Sequence, residues 1–72
     1  MSKYSLTFKT VTKPGLGFYV ASGSLFDADD YADSFNLNRS DIDYQDIHAA
    51  QDAAGRLNDG EWLAVTHEEN AS

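Results

Sequence analysis

The sequence has no cysteine, a single proline and only five cations in 72 residues. Without cysteine there is neither a disulfide framework nor a thiolate metal site, so packing alone must hold the chain together, which suits an intracellular setting. No long apolar run occurs either, and the reading is of a chain with no signal peptide and no transmembrane helix. Acid is missing from the first 26 residues, which carry Lys3, Lys9 and Lys13. Every one of the 12 acidic residues therefore lies further on.

Most of that acid sits in one stretch. Residues 27–46 hold Asp27, Asp29, Asp30, Asp33, Asp41, Asp43 and Asp46, with Arg39 as the one cation. The local charge is −6, against −7 for the whole protein. A pI near 4.3 argues against direct contact with nucleic acid or an anionic membrane. A partner selected by charge would be basic. At 42% hydrophobic, with nine aromatics, the chain is too apolar for a disordered acidic tail. It is long enough for one small domain, 1–72, but rarely would such a chain enclose a substrate, so a binding protein is expected rather than an enzyme.

The periodicities give the element order. Tyr4, Leu6 and Phe8 alternate with Ser5, Thr7 and Lys9, the pattern of a strand with one buried face. Lys13-Pro14-Gly15 is a turn signal, and a second strand over 18–21 would close a hairpin, with Tyr19 outward. Asp27 is a helix N-cap, with Leu25 or Phe26 packing back on the helix. That helix would span 28–35, burying Tyr31 and Phe35, with Asp29 and Asp30 at the positive end of its dipole. Asn36 and Asn38 suit its end.

Ser40 caps a second helix over 41–57, whose apolar stripe is Ile47, Ala50, Ala54 and Leu57. Asp43 and Asp46 fall near that stripe, and both are expected to stay in water. A third strand over 61–66 has Leu63 and Val65 inward and Trp62, Ala64 and Thr66 outward. Residues 67–72 read as a frayed polar tail. The expected fold is α+β: ββααβ, a three-stranded antiparallel sheet in order 2-1-3, with two helices packed on one face.

Several chemistries can be weighed on these residues. The aspartates serve either solubility or imitation of duplex phosphates, which are spaced at about one charge per 1.7 Å. Asp27, Asp30 and Asp43 are also explained as caps alone. Asp27-Ala28-Asp29-Asp30 begins like a calcium loop, but Ala32 stands where glycine is needed and Asn38 where glutamate is needed. His48 and His67 lack a second ligand at metal spacing and read as surface residues. No nucleophile elbow or phosphate loop is present. Neither a metal nor a cofactor is expected. On the uncovered sheet face, Tyr19 and Trp62 either pack on each other across strands or anchor a partner.

Two blocks of the sequence resemble a known family. One is Phe18-Tyr19-Val20 followed by Gly23, Phe26-Asp27, Tyr31 and Asp33. The other is Asp59-Gly60-Glu61-Trp62-Leu63 followed by Val65, His67 and Glu68. Together they are similar to phage-encoded anti-CRISPR proteins that block type I-F surveillance complexes. The resemblance implies a monomeric ββααβ DNA mimic, acting in the host bacterial cytoplasm. Its partner would be the basic site on the Cas8-type large subunit that reads the protospacer-adjacent motif.

By the same resemblance, Asp27 and Asp33 match acidic positions of the family's first helix. Ala32 stands at a lost one, for which Asp29 and Asp30 substitute. Lys13-Pro14 occupies a loop where the family carries acid, so a related complex such as type I-C is a second candidate target. The expected contact surface is Asp27, Asp29, Asp30, Asp33, Asp41, Asp43 and Asp46. The competing expectation is a phage structural or regulatory protein that self-associates through Tyr19 and Trp62.

Overall fold

A computed structural model describes residues 3–70. It shows an α+β fold with element order ββααβ and a three-stranded antiparallel sheet. Strand β1 is Tyr4–Val11 and β2 is Phe18–Ala21, as the alternation predicts. Helix α1 is Ala28–Ser34, a short 3-10 turn covers Arg39–Asp41, α2 is Tyr44–Gly55, and β3 is Trp62–Glu69. Leu6 and Val20 meet Leu63 and Val65 on one face of the sheet. Tyr31 and Ala32 of α1 and Ile47, Ala50 and Ala54 of α2 close over them.

The strand order is β1-β3-β2, not 2-1-3. Strand β3 pairs antiparallel with both neighbours, from Tyr4↔Glu69 to Val11↔Trp62 on one side and from Phe18↔Val65 to Ala21↔Trp62 on the other. Strands β1 and β2 therefore run in the same direction, and residues 12–17 form a crossover rather than a hairpin turn. The physical reason lies in β3. Leu63, Ala64 and Val65 are consecutive and all buried, as suits a middle strand whose neighbours flank it on both edges. Strand β1 carries exposed Thr7 and Lys9 and tolerates an edge. The crossover lies against the outward ring of Tyr19, whose hydroxyl would be 3.4 Å from a Cβ at Gly15. The left-handed backbone that the turn needs falls at Gly17 (φ 117°), not at Gly15.

Further boundaries differ from expectation, among them the end of α2, which stops at Gly55 with Arg56 as its C-cap, and the start of β3 at Trp62. The second helix begins at Tyr44, with Asp43 rather than Ser40 as its N-cap. Ile42 is the cause: it leaves the helical path to form a parallel bridge with Tyr4 and is buried to 4% exposure. Burying such a side chain is worth about 1.5–3 kcal/mol, more than the turn of helix it replaces. The first helix stops at Ser34, with Phe35 as its C-cap and partly exposed, and Asn36 takes the left-handed turn (φ 56°). The third strand runs on to Glu69, so 67–69 are paired with β1 rather than frayed. Asn70 then donates its backbone N–H to the Lys3 carbonyl at 2.7 Å. The last two tail residues lie outside the described ones.

An aromatic cluster joins α1 to the sheet. Tyr31 is fully buried, with ring centroids of Phe18 at 5.0 Å, Phe26 at 5.9 Å and Phe35 at 4.7 Å. Phe26 is the residue that packs back on the helix; Leu25 points into solvent. His67 continues the inward parity of Leu63 and Val65, and its Nδ1 lies 2.7 Å from the Tyr31 hydroxyl. It is half-buried, not a free surface residue.

Burial pushes the Tyr31 phenol from 10.0 up to about 12. The folded chain thus holds a proton that the unfolded chain releases at 10.0. Stability from this group is complete below 10.0 and is lost as pH rises through about 12. Denaturation followed across that window should show stability falling with pH, and Tyr31→Phe should flatten the slope.

Candidate acidic interface

The seven aspartates do not form one uniform surface. Asp27 caps α1: its Oδ1 accepts from the backbone N–H of Asp29 at 2.9 Å and, more weakly, of Asp30 at 3.4 Å. Such a cap contributes roughly 0.5–2 kcal/mol. Asp43 caps α2 in the same way, accepting from the Gln45 N–H at 2.9 Å. Both are therefore part of the helix ends as well as candidates for contact.

Asp46 departs most from expectation. Rather than staying in water, its Oδ2 accepts from the backbone N–H of Leu6 at 3.0 Å, in a half-buried position. The Asp43 N–H donates to the Tyr4 carbonyl at 3.0 Å, and the Lys3 N–H donates to the Asp41 carbonyl at 2.8 Å. Residues 41–46 thus seal the outer edge of β1 over its first half. An aspartate at the rim of an apolar helical stripe was the sequence signal for this role. A carboxylate there must find a donor, and an edge strand supplies one.

Asp29 is held by a neighbour. Its Oδ1 lies 3.0 Å from Nε of Arg39, joining α1 to the 3-10 turn. Both side chains are exposed, so the pair adds little stability. Its effect is to place the acids of the two elements beside one another. Asp30 and Asp33 stand exposed on α1, and Asp41 is half-exposed on the 3-10 turn. Among the described residues, no cation lies within ion-pair distance of these three. Asp29, Asp30 and Asp33 thus share α1, Asp41 lies on the 3-10 turn packed against that helix, and Asp46 is drawn into the fold.

Other candidates are placed as follows. Residues 28–34 are helical, so Asp27, Asp29 and Asp30 cannot wrap a cation as a loop would, and no group of potential metal ligands converges among the described residues. His48 is exposed and its ring meets Tyr44 at 4.5 Å. Tyr19 and Trp62 lie on the sheet face away from the helices, both half-buried. Trp62 is cross-strand from Val11 and Ala21, and no ring pair joins it to Tyr19. A shallow depression of about 330 Å³ on that side is lined by Thr7, Phe8, Lys9, Ala64 and Thr66. No helix among the described residues is long and apolar enough to cross a membrane.

These roles separate by mutation. Asp46→Ala leaves the Leu6 N–H without its partner and should destabilise the fold by about 1–3 kcal/mol. Asp33→Asn should stay within about 0.5 kcal/mol of the parent. Urea denaturation of the two variants checks both. In comparisons with known proteins, the chain matches no family profile and no curated protein.

Proposed function

We propose that the protein is an anti-CRISPR inhibitor of the phage-encoded type I-F kind, acting as an acidic mimic of duplex DNA. On this reading it occupies the basic site of a Cas8-type large subunit where the protospacer-adjacent motif is read, and target DNA cannot load. It works as a monomer in the host bacterial cytoplasm, without cofactor, metal or catalytic step.

One observation carries most weight. Among the described residues, Asp30, Asp33 and Asp41 stand on adjacent elements without cationic partners, and Asp29 on the same helix as the first two is held by an exposed ion pair. Carboxylates arranged like this, on a short helix and the turn after it, offer a basic groove several anionic contacts at once. Aspartate is short and loses little side-chain entropy when clamped. The two blocks of sequence resemblance supply the partner class. Lys13, exposed in the crossover, sits where that family carries acid, which keeps a type I-C complex as the alternative target.

The contact set is narrower than the sequence suggests. Asp30 and Asp33 are the core of it, with Asp29 and Asp41 beside them. Asp27 and Asp43 contribute through a free oxygen while capping, and Asp46 serves the fold. Asp30→Lys combined with Asp33→Lys should leave the protein folded and abolish its ability to keep target duplex off a purified type I-F complex. Full inhibition by that double variant, with circular dichroism unchanged, would remove this site. Asp46→Asn should inhibit normally in proportion to its folded fraction.

A further inference from the structure

We propose that the hydrogen bond between Tyr31 and His67 is a proton-sensitive latch holding helix α1 against the sheet. The helix has seven residues, and its one ion pair among the described residues, Asp29–Arg39, is exposed and ties it to the 3-10 turn rather than to a strand. Among the described residues, the Tyr31 hydroxyl and His67 Nδ1, 2.7 Å apart, make the one side-chain hydrogen bond between α1 and the sheet. The segment carrying α1 is bracketed by two left-handed positions, Gly23 (φ 85°) and Asn36 (φ 56°), where the chain turns sharply.

The surroundings fix the direction of the bond. Tyr31 is fully buried among Phe18, Phe26 and Phe35, and its hydroxyl has no acceptor among the described residues other than the imidazole. The phenol therefore donates, and neutral His67 accepts at Nδ1 and keeps its hydrogen on Nε2. A proton taken from solvent onto Nδ1 reverses the bond: Nδ1–H now donates to the phenol oxygen. The tyrosine proton must then rotate toward aromatic rings, where it has no partner, and a charge enters a half-buried apolar site.

Among the described residues, no ion pair to the imidazole offsets that loss. From α1 the imidazole meets Tyr31 and Phe35, the latter at 5.1 Å. From β1 it meets Tyr4 at 5.5 Å, with the Lys3 ammonium 5.6 Å from the Tyr4 ring. Glu68 and Glu69 follow it on β3, both exposed, and no carboxylate lies within ion-pair distance of the imidazole among the described residues. Protonation therefore weakens the tie and lets α1 open, while α2 stays fixed to β1 through Asp46. This behaviour is independent of what the aspartates bind.

Amide hydrogen exchange measured by NMR at about pH 8 and about pH 5 tests it. Rates are corrected for the intrinsic pH dependence of exchange. On acidification, amides of Tyr31, Phe35 and Leu37 should lose on the order of tenfold protection relative to those of β3 and α2, the scale of one buried hydrogen bond. Tyr31→Phe should remove the pH dependence. His67→Gln, which keeps an acceptor that does not titrate, should also give pH-independent protection. Equal protection of α1 at both pH values in the parent protein would overturn the proposal. A rise on acidification would overturn it as well, because the rings of Tyr4 and Phe35 would then be favouring the imidazolium.

Discussion

The structure depends on β3 being hydrogen-bonded along both edges. A three-stranded sheet has a single position flanked by strands on both edges, and Leu63-Ala64-Val65 fills it. Once β3 is central, β1 and β2 must run in the same direction, and residues 12–17 must cross between them. The outer edge of β1 then needs a cover. The segment 41–46 provides it through the Ile42 bridge, the Asp43 N–H and the Asp46 carboxylate. The acidic stretch is thus partly a product of the sheet order.

That division of labour explains why acid content alone is a poor guide to the contact surface. Asp27 and Asp43 cap helices, Asp46 satisfies a strand amide, and Asp29 pairs with Arg39. Among the described residues, the side chains of Asp30, Asp33 and Asp41 have no such structural partner, and like charges on adjacent elements repel. A partner's cations relieve that repulsion, which gives unpartnered carboxylates their value to an interface. The residues that carry the sequence resemblance behave differently. Phe18, Phe26, Tyr31 and His67, drawn from both blocks, meet in one aromatic cluster. They hold α1 in place, with Asp29, Asp30 and Asp33 exposed on its outer face.

Much of this was legible in the residues. Period-two alternation placed β1 and β2, Asp27 announced its helix, and the ββααβ order followed. Strand order was not, because a short connection with Pro14 and Gly15 reads locally as a hairpin and the pairing is decided at a distance by β3. The start of α2 was missed for a related reason: Ile42 gains more from the sheet than from the helix, and Ser40 looks like a cap when taken alone. His67 was readable in principle, since the inward parity of Leu63 and Val65 extends to it, but the run of polar residues after Thr66 concealed the strand. Asp46 also carried its signal, an acid at the rim of an apolar stripe.

The most direct test of the mimicry account is a gel shift with purified type I-F complex and labelled target duplex, varying the order of addition. If the acidic surface takes the place of DNA, protein added first should abolish the shifted band, and protein added after the DNA should change little. A duplex that binds as well after pre-incubation as without the protein, for the type I-F and type I-C complexes alike, would contradict it.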